Sequence, residues 1–247
     1  MGDVPKASPV FLEEHMKLGI VCAMDVEAAL LKEELEDVRI EHVGMLEIWG
    51  GRLRGLECGL VRSGVGKVFS AMATQALIDA VAPDAIVNSG IAGGLDPSLA
   101  IGDFVIATDC VQYDFDTSPW GYEPGFLSGI NRLGFESDAG LRAKLAEAVR
   151  RFDPDARIRE GRVASGDRFV TEDALKDWIV RTFGALCCEM ESAPIAQVSW
   201  ANGLPFGILR AISDMADESA LAVSDENERR ISELSARPVL ELAELLA

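Results

Sequence analysis

Three carboxylates, Glu27, Glu191 and Asp214, each follow a short apolar run closely along the chain. In an open α/β sheet, ligands bind beyond the carboxyl ends of the strands, so side chains at these positions would share one crevice. The chain has only two histidines, His15 and His42, which leaves no HExxH motif and little scope for a Ser-His-Asp triad. If the protein is an enzyme, we therefore expect its acid–base chemistry to depend on carboxylates.

The same acids have plainer explanations, which the residues alone leave open. Glu27 and Glu191 could be first-turn helix acids, which the helix dipole favours, and Asp214 could belong to a cap or a turn. The glycines of 90–94 lack the GxGxxG spacing, and the Gly-Lys pair at 66–67 lacks the earlier glycine of a P-loop. The residue pattern predicts an acidic pocket but does not name a reaction.

Apolar runs alternate with amphipathic segments along most of the chain. Continuous apolar runs are typical of strands buried on both faces, and apolar residues three or four apart indicate helices. This alternation predicts an α/β protein, a three-layer αβα sandwich around a central mixed sheet. The predicted strands are 18–24, 48–49, 56–62, 84–89, 104–108, 158–164, 185–188 and 206–212. The predicted helices are 26–35, 67–81, 138–152, 172–183, 189–202 and 225–246.

Two kinds of connection separate these elements. Glycines predict turns at 50–51 and at Gly55, which separate the predicted strands 48–49 and 56–62. The segment 112–132 is long, rich in Gly, Pro and Asp, and carries Trp120 and Tyr122, so it is predicted to be a functional loop.

The composition argues against several classes of partner. The 247 residues include 23 Lys and Arg against 41 Asp and Glu, a net charge of −18, and such an acidic surface repels nucleic acid and anionic membranes. No linker divides the chain, so we expect one domain at 17–247 after a disordered or loosely attached extension at 1–16. The five cysteines form no CxxC pair, and no signal peptide or membrane-spanning run occurs, so we expect a cytoplasmic protein with reduced thiols.

Eight short motifs cover much of the chain from Lys17 onward. They are GIVCAMDVE (19–27), SGVGK (63–67), NSGIAGGL (88–95), GD (102–103), YDFDTS (113–118), SGDRFV (165–170), CEMES (188–192) and RAISDMAD (210–217). In this order and spacing, the chain resembles the 5′-methylthioadenosine/S-adenosylhomocysteine nucleosidases of the nucleoside phosphorylase superfamily. The resemblance implies a nucleoside phosphorylase-like fold, a homodimer, a small nucleoside substrate, and no cofactor or metal.

The resemblance implies hydrolysis of the N-glycosidic bond between adenine and a 5′-thio-substituted ribose. Carboxylates suit this reaction, because the sugar gains oxocarbenium character and adenine leaves readily only when it is protonated. By the resemblance, Asp214 protonates N7 of the purine and Ser213 orients Asp214. Glu27 and Arg210 hold and activate the attacking water, and Glu191 binds the ribose hydroxyls and helps to place that water.

The resemblance also implies residues that bind the purine and the ribose. Phe169 stacks on the base, and Val170 contacts the adenine edge through its backbone. Ala92 and Gly93 let the backbone approach the base closely, where a bulky side chain would collide. Met190 provides an apolar face under the ribose.

An apolar pocket for the 5′-thio group is implied at Met24 and Val65, since the substituent is a thioether. Trp120 and Tyr122 fall where the family contributes aromatic residues to this pocket across a dimer interface. Ordinary packing within the loop is the alternative explanation for these two residues.

Two positions depart from the family pattern. Ile91 stands where well-known members carry a serine that helps to hold the water, and Tyr113 replaces a histidine seen in some members. Because of Ile91, a non-catalytic nucleoside-binding protein is one alternative. A 6-amino-6-deoxyfutalosine hydrolase is another, since the pocket tolerates varied 5′ groups. A phosphate-dependent nucleoside phosphorylase is the third, although a phosphate dianion beside Glu27 and Glu191 is electrostatically unfavourable.

Overall fold

The computed structural model describes residues 16–222 and 224–247. Within these ranges, ten strands form a single sheet with helices packed against it. The strands are β1 (Lys17–Cys22), β2 (Leu35–Val43), β3 (Leu46–Leu53), β4 (Leu56–Arg62), β5 (Ala85–Gly94), β6 (Phe104–Gln112), β7 (Gly134–Glu136), β8 (Ile158–Ser165), β9 (Cys187–Glu189) and β10 (Phe206–Asp214). The helices are α1 (Asp25–Glu33), α2 (Lys67–Val81), α3 (Ala139–Phe152), α4 (Asp173–Phe183), α5 (Ser192–Ala201) and α6 (Asp225–Leu246).

The sheet is mixed and partly closed. Its strand order is β10-β6-β8-β9-β5-β1-β4-β3-β2, with β7 beside β6, and β10 also pairs with β5 so that five strands form a ring. β1 and β10 run parallel to β5, whereas β3 is antiparallel to both of its neighbours. Helices α1, α3 and α6 pack on one face, and α2 and α5 pack on the other. These layers confirm the predicted αβα sandwich with a mixed sheet.

Helix α2 packs directly on β1 and β4 because glycines at Gly19 and Gly59 leave room for its side chains. A Cβ atom on Gly19 would lie 3.2 Å from Leu77 Cδ2, and one on Gly59 would lie 2.5 Å from Val81 Cγ2. The close packing fixes the C-terminal half of α2 against the sheet. The loop 63–66 connects the carboxyl end of β4 to the start of this helix.

Two strands run further than the sequence predicted, and both extensions carry candidate site residues. β5 continues through the glycines of 90–94, and β10 continues to Asp214. The two extensions pair with each other, with Arg210 opposite Gly90 and Asp214 opposite Gly93. Charged side chains of β10 therefore stand beside backbone that carries little or no side chain.

Between β1 and β4 the sequence prediction is right for a helix, for the strand at 48–49 and for the turn at Gly55, and wrong for the end of the helix and for a turn at 50–51. Helix α1 ends at Glu33, and Leu35 begins the strand β2 instead of belonging to the helix. The glycines 50–51 lie inside β3, and the turn falls at 54–55, where both residues have positive φ. β2 has no apolar run because most of its side chains are exposed, and backbone pairing with β3 holds it in the sheet. The short strand β7 was not predicted either.

The expected extension at 1–16 falls almost wholly outside the described residues. Residues 1–15 lie outside the described residues, whereas Met16 is buried in the core. All five cysteines are free and buried. In the described part of the chain, no helix combines the length and the apolar character needed to cross a membrane.

Candidate active site

A cavity of about 260 Å³ opens where β1, β5, β9 and β10 end. This is the edge of the sheet at which the sequence placed a shared crevice. The wall combines carboxylates with apolar and small residues. The site residues of the sequence prediction that line it are Met24, Glu27, Val65, Ile91, Ala92, Gly93, Phe169, Val170, Met190, Glu191, Ser213 and Asp214.

Glu27 lies in the first turn of α1, and its side chain is buried. Oε2 accepts hydrogen bonds from the backbone N–H groups of Ala23 at 2.8 Å and Met24 at 2.9 Å, and Oε1 accepts one from Ile91 N–H at 3.0 Å. Burial raises the pKa of Glu27, whereas Arg210 and the three N–H donors oppose that rise. The carboxylate is therefore fixed in direction and more basic than a solvated glutamate.

Arg210 is fully buried in β10 and lies behind Gly90, not in the cavity wall. Its Nη1 atom has no hydrogen-bond partner among the described residues. A Cβ atom on Gly90 would collide with both Arg210 Nη1 and Glu27 Oε1, so these two groups converge on space that only glycine leaves open. The Nε and Nη2 atoms of Arg210 bond to the side chains of Asn88, Glu189 and Ser192.

Glu191 immediately precedes α5, and its Oε1 accepts a hydrogen bond from Gly66 N–H at 2.9 Å. That bond connects the start of α5 with the loop before α2. Burial, and then the charge of Glu189, raise the pKa of Glu191 to about 8, against the opposing effect of Arg210. At neutral pH this carboxyl group is therefore mainly protonated in the folded protein.

Asp214 ends β10 with its carboxyl group buried against the glycines of β5. Ser213 Oγ donates to Oδ2 at 2.8 Å, and Ala216 N–H donates to Oδ1 at 2.8 Å. Ser213 Oγ also lies 3.3 Å from the Ala92 carbonyl oxygen. A Cβ atom on Gly93 would lie 2.9 Å from Asp214 Oδ1, so glycine permits this close approach. Both carboxyl oxygens are held in place at the cavity wall.

The loop after β8 supplies an aromatic side chain at the mouth of the cavity. Phe169 is 56% exposed there, and the neighbouring Val170 is buried. Tyr113 holds this loop, because its hydroxyl donates to the Arg168 carbonyl at 3.0 Å and its ring fills the space that Gly166 leaves. Tyr113 is therefore a support for the Phe169 segment, a role that the sequence did not indicate.

Trp120 and Tyr122 lie outside the cavity of their own chain. They are 78% and 42% exposed, and the ring of Tyr122 stacks on Phe126 at 5.5 Å. A contribution of either residue to the 5′ pocket would require a second copy of the chain.

Three charged residues of the cavity wall were given no role by the sequence prediction: Arg168, Glu189 and Glu228. Glu189 falls inside the motif CEMES, but its buried ion pair with Arg210 joins separate strands and cannot be read from either motif. Arg168 pairs with Glu172 at 2.5 Å, four residues further along the chain. Glu228 reaches the cavity from the first turns of α6, and no sequence pattern marks it.

The fold and the acidic cavity correspond to a known class of protein. The Phosphorylase superfamily profile matches residues 17–244, so the chain is a member of that superfamily. The sequence is 36% identical over 212 residues to the 5′-methylthioadenosine/S-adenosylhomocysteine nucleosidase of Tolumonas auensis, and the match covers 85% of this chain and 91% of the relative.

Solved structures agree with the sequence comparison. The nucleosidase of the same name from Neisseria meningitidis, in complex with methylthio-immucillin-A, has a TM-score of 0.89 and 36% identity, covering 93% of this chain and 99% of that one. A futalosine hydrolase of Helicobacter pylori has a TM-score of 0.87 and 31% identity, covering 93% and 98%. The chain belongs to the family of 5′-methylthioadenosine/S-adenosylhomocysteine nucleosidases, and the resemblance found in the sequence is confirmed.

Replacing Glu191 by glutamine is expected to raise the melting temperature by several degrees near pH 9 and to change it little near pH 5. The folded-state pKa of Glu191 is about 8 against an ordinary value of 4.5, so its favourable contribution is complete below pH 4.5 and is lost as the pH rises through 8. Above that pH the wild type keeps a buried carboxylate charged, whereas Glu191→Gln does not. Thermal unfolding of both proteins across this pH range measures the difference.

Glu226→Gln is the matched control, because Glu226 is exposed on α6 and does not line the cavity. Its effect on the melting temperature should be small at every pH. A difference between Glu191→Gln and wild type that does not vary with pH would contradict the raised pKa.

Proposed function

We propose that this protein hydrolyses the N-glycosidic bond of 5′-methylthioadenosine and S-adenosylhomocysteine, releasing adenine and the 5-thioribose product. One observation carries the proposal: a single cavity brings the buried, hydrogen-bonded carboxyl group of Asp214 together with Glu27, behind which Arg210 presents a free N–H donor. Membership in the nucleosidase family supports it.

Asp214 is the proton donor in this proposal. When the bond between C1′ and N9 breaks, its electron pair moves to adenine, and a proton delivered to N7 makes the base a better leaving group. The O–H of Ser213 and the N–H of Ala216 fix both oxygens of Asp214, so the proton is delivered from a defined direction. Phe169 offers a ring face to the purine at the mouth of the cavity.

Glu27 and Arg210 act on the attacking water. A water molecule near Gly90 can accept a hydrogen bond from Arg210 Nη1 and donate one to Glu27 Oε1. As the water oxygen bonds to C1′, Glu27 takes its proton, and burial makes Glu27 a stronger base for this step. Ile91 brings no side-chain donor, but its backbone N–H holds Glu27 in position.

The remaining wall suits a 5′-thioribose. Glu191 can hydrogen-bond to ribose hydroxyls, and the charge of Glu27 stabilises the positive charge that develops on the sugar. Met190 provides an apolar surface, and Met24 and Val65 line the cavity where a thioether would be accepted. The pocket therefore combines polar contacts for the sugar with apolar contacts for sulfur.

The charges of the cavity favour water over phosphate as the nucleophile. The positive charge of Arg210 is neutralised by Glu189, and that of Arg168 by Glu172. A phosphate dianion would face more carboxylates than unpaired cations, which is electrostatically unfavourable. The charged carboxylates left at the wall are Glu27 and Glu228, since Glu189 is paired with Arg210, Glu191 is mainly protonated and Asp214 is the proton donor.

Hydrolysis of 6-amino-6-deoxyfutalosine is a second candidate function. The structural similarity to a futalosine hydrolase favours it, since the same proton donor and water would serve both reactions. A protein that only binds nucleosides is less well supported, because Ile91 still holds Glu27 through its backbone.

Wild-type protein incubated with each of the three nucleosides is expected to release adenine from 5′-methylthioadenosine and S-adenosylhomocysteine, equally with and without phosphate. Water is the nucleophile in both conditions, so phosphate should not matter. Chromatography of the products measures the release. A strict need for phosphate would indicate a phosphorylase, and preference for 6-amino-6-deoxyfutalosine would favour the second candidate. Intact nucleosides that raise the melting temperature would indicate a binding protein.

Asp214→Asn is expected to lower kcat by about 10²–10⁴-fold while nucleoside binding is largely kept, because the amide has the same shape but no acidic proton. Adenine release gives kcat, and titration calorimetry gives the affinity. Asp225→Asn, at an exposed position in the first turn of α6, is the control and should leave both values unchanged. Full activity of Asp214→Asn would remove Asp214 as the proton donor.

A homodimer is part of the proposal. Helix α2 exposes Val68 by 76%, Phe69 by 41% and Met72 by 43%, next to Val65 of the cavity. A second copy seated on this apolar face would remove it from water, and its Trp120 could reach the 5′ pocket. The buried, free thiols support a cytoplasmic location for this assembly, since reducing compartments keep cysteines unpaired.

Replacing both Val68 and Met72 by glutamate is expected to give a monomer with a raised KM for 5′-methylthioadenosine, because two charges would be buried at the interface. Light scattering measures the mass, and initial rates give KM. Val38→Glu, also at an exposed apolar position but on β2, is the control and should leave the mass unchanged. A wild-type monomer at assay concentration would contradict the dimer.

A further inference from the structure

We propose that Glu189 is a positioning residue for the reaction, which holds Arg210 so that Nη1 faces Glu27; this role rests on the function proposed above. Glu189 ends β9, and its side chain is almost fully buried. Its Oε2 atom lies 2.5 Å from Arg210 Nη2. Although Glu189 is at the cavity wall, no step of the hydrolysis requires it to touch the reacting atoms.

Among the described residues, the anchors of the Arg210 guanidinium lie on one side. Nη2 is within hydrogen-bond distance of Glu189, Asn88 Oδ1 and Ser192 Oγ, the last at 2.9 Å, and its two N–H groups are shared among them. Nε lies 3.2 Å from the same Ser192 Oγ. Nη1 remains for the space shared with Glu27. Glu189 is the charged anchor in this set, so it contributes most to the direction of the guanidinium.

A neutral residue at position 189 would change which carboxylate Arg210 prefers. Glu27 Oε1 and Arg210 Nη1 already converge at Gly90, and the charge of Arg210 already lowers the pKa of Glu27. Without Glu189, a direct ion pair between Arg210 and Glu27 becomes the best way to compensate the buried cation. That pair would occupy the oxygen that receives the proton of water and would weaken Glu27 as a base.

The same carboxylate also fixes the backbone before α5. Oε2 accepts hydrogen bonds from Glu191 N–H at 3.0 Å and Ser192 N–H at 2.8 Å, and Oε1 accepts one from Ser165 O–H. Ser165 Oγ in turn accepts the N–H of Ala193 at 2.8 Å. The Glu189 side chain thus connects β8, β9, β10 and α5. It holds both the guanidinium of Arg210 and the backbone of Glu191.

The charge of Glu189 affects the ionisation of neighbouring groups, so its removal can be detected in the pH dependence of the activity. Burial raises the pKa of each nearby thiol and of the Tyr113 hydroxyl, so these groups stay neutral around pH 7. Glu191 and Glu27 are the carboxyl groups whose ionisation would respond. The titratable or charged groups affected by Glu189 are Cys110, Tyr113, Cys187, Cys188, Glu191 and Arg210.

The test is Glu189→Gln, which keeps the shape of the side chain and removes its charge. We expect kcat for 5′-methylthioadenosine to fall about 10–100-fold, as for a small misplacement of reacting groups, with KM changed less than about threefold. The acid limb of the profile of kcat/KM against pH should move to lower pH, because Glu27 paired with Arg210 ionises more easily. A residue that supports the fold by packing alone would not move that limb. Ser192→Ala, which keeps every charge, separates the placement of Arg210 from the loss of the Glu189 charge.

Asp109→Asn is the matched control. Asp109 forms an ion pair with Arg162, with Nη2 at 2.6 Å from Oδ2, and this pair joins β6 to β8 outside the cavity. We expect this variant to lose melting temperature while its kcat and pH profile stay those of the wild type.

If Glu189→Gln does not fold, Ser192→Ala removes two contacts of Arg210 and keeps every charge. A severalfold loss of kcat at constant KM is then expected. Wild-type kcat with an unmoved acid limb in Glu189→Gln, or wild-type kcat in a Ser192→Ala variant used in its place, would overturn the positioning role. Wild-type protein in the same assay separates the two proposals, since a wild type that releases no adenine refutes the proposed function itself.

Discussion

The buried Arg210 guanidinium must be compensated before any carboxylate around it can take part in chemistry. A guanidinium without access to water is highly unfavourable unless anions and acceptors surround it. Glu189 meets most of that requirement through a direct ion pair, and this leaves Glu27 free of a direct pair while still within the field of Arg210. Glu191 feels both charges, which oppose each other. The charge of Arg210 thus allows Glu27, Glu189 and Glu191 to lie close together in the protein interior.

Backbone groups supply the rest of the stabilisation. Three N–H donors hold Glu27, one holds Asp214, and the N–H of Gly66 holds Glu191. Ala23, Met24, Gly66 and Ala216 lie beyond the ends of their strands, where amides no longer pair within the sheet, whereas Ile91 lies within β5. A glycine at position 90 then lets the acid and the guanidinium converge. The carboxylates need no histidine to be oriented, which agrees with a chain that has only two.

Continuous apolar runs predicted the layers of the fold, and the acids Glu27, Glu191 and Asp214, which directly follow such runs, reach the cavity. The apolar and aromatic residues of the wall were predicted through the family resemblance. The sequence prediction failed at β2, whose side chains are mostly exposed and which is held by backbone pairing that composition does not reveal. Glu189 was not predicted as a functional residue, since its role depends on Arg210, which is adjacent only in the folded chain. Local patterns therefore predict which residues reach the cavity but not which pairs form behind it.

Closing five strands into a ring leaves β5 and β10 without a free edge in the region of the site. Their amide protons exchange with solvent only when much of the domain unfolds, whereas exposed segments such as those bearing Val65 and Phe169 can open locally. We therefore expect local opening to be confined to the rim of the cavity, while the acids and the guanidinium keep their places in the ring of strands.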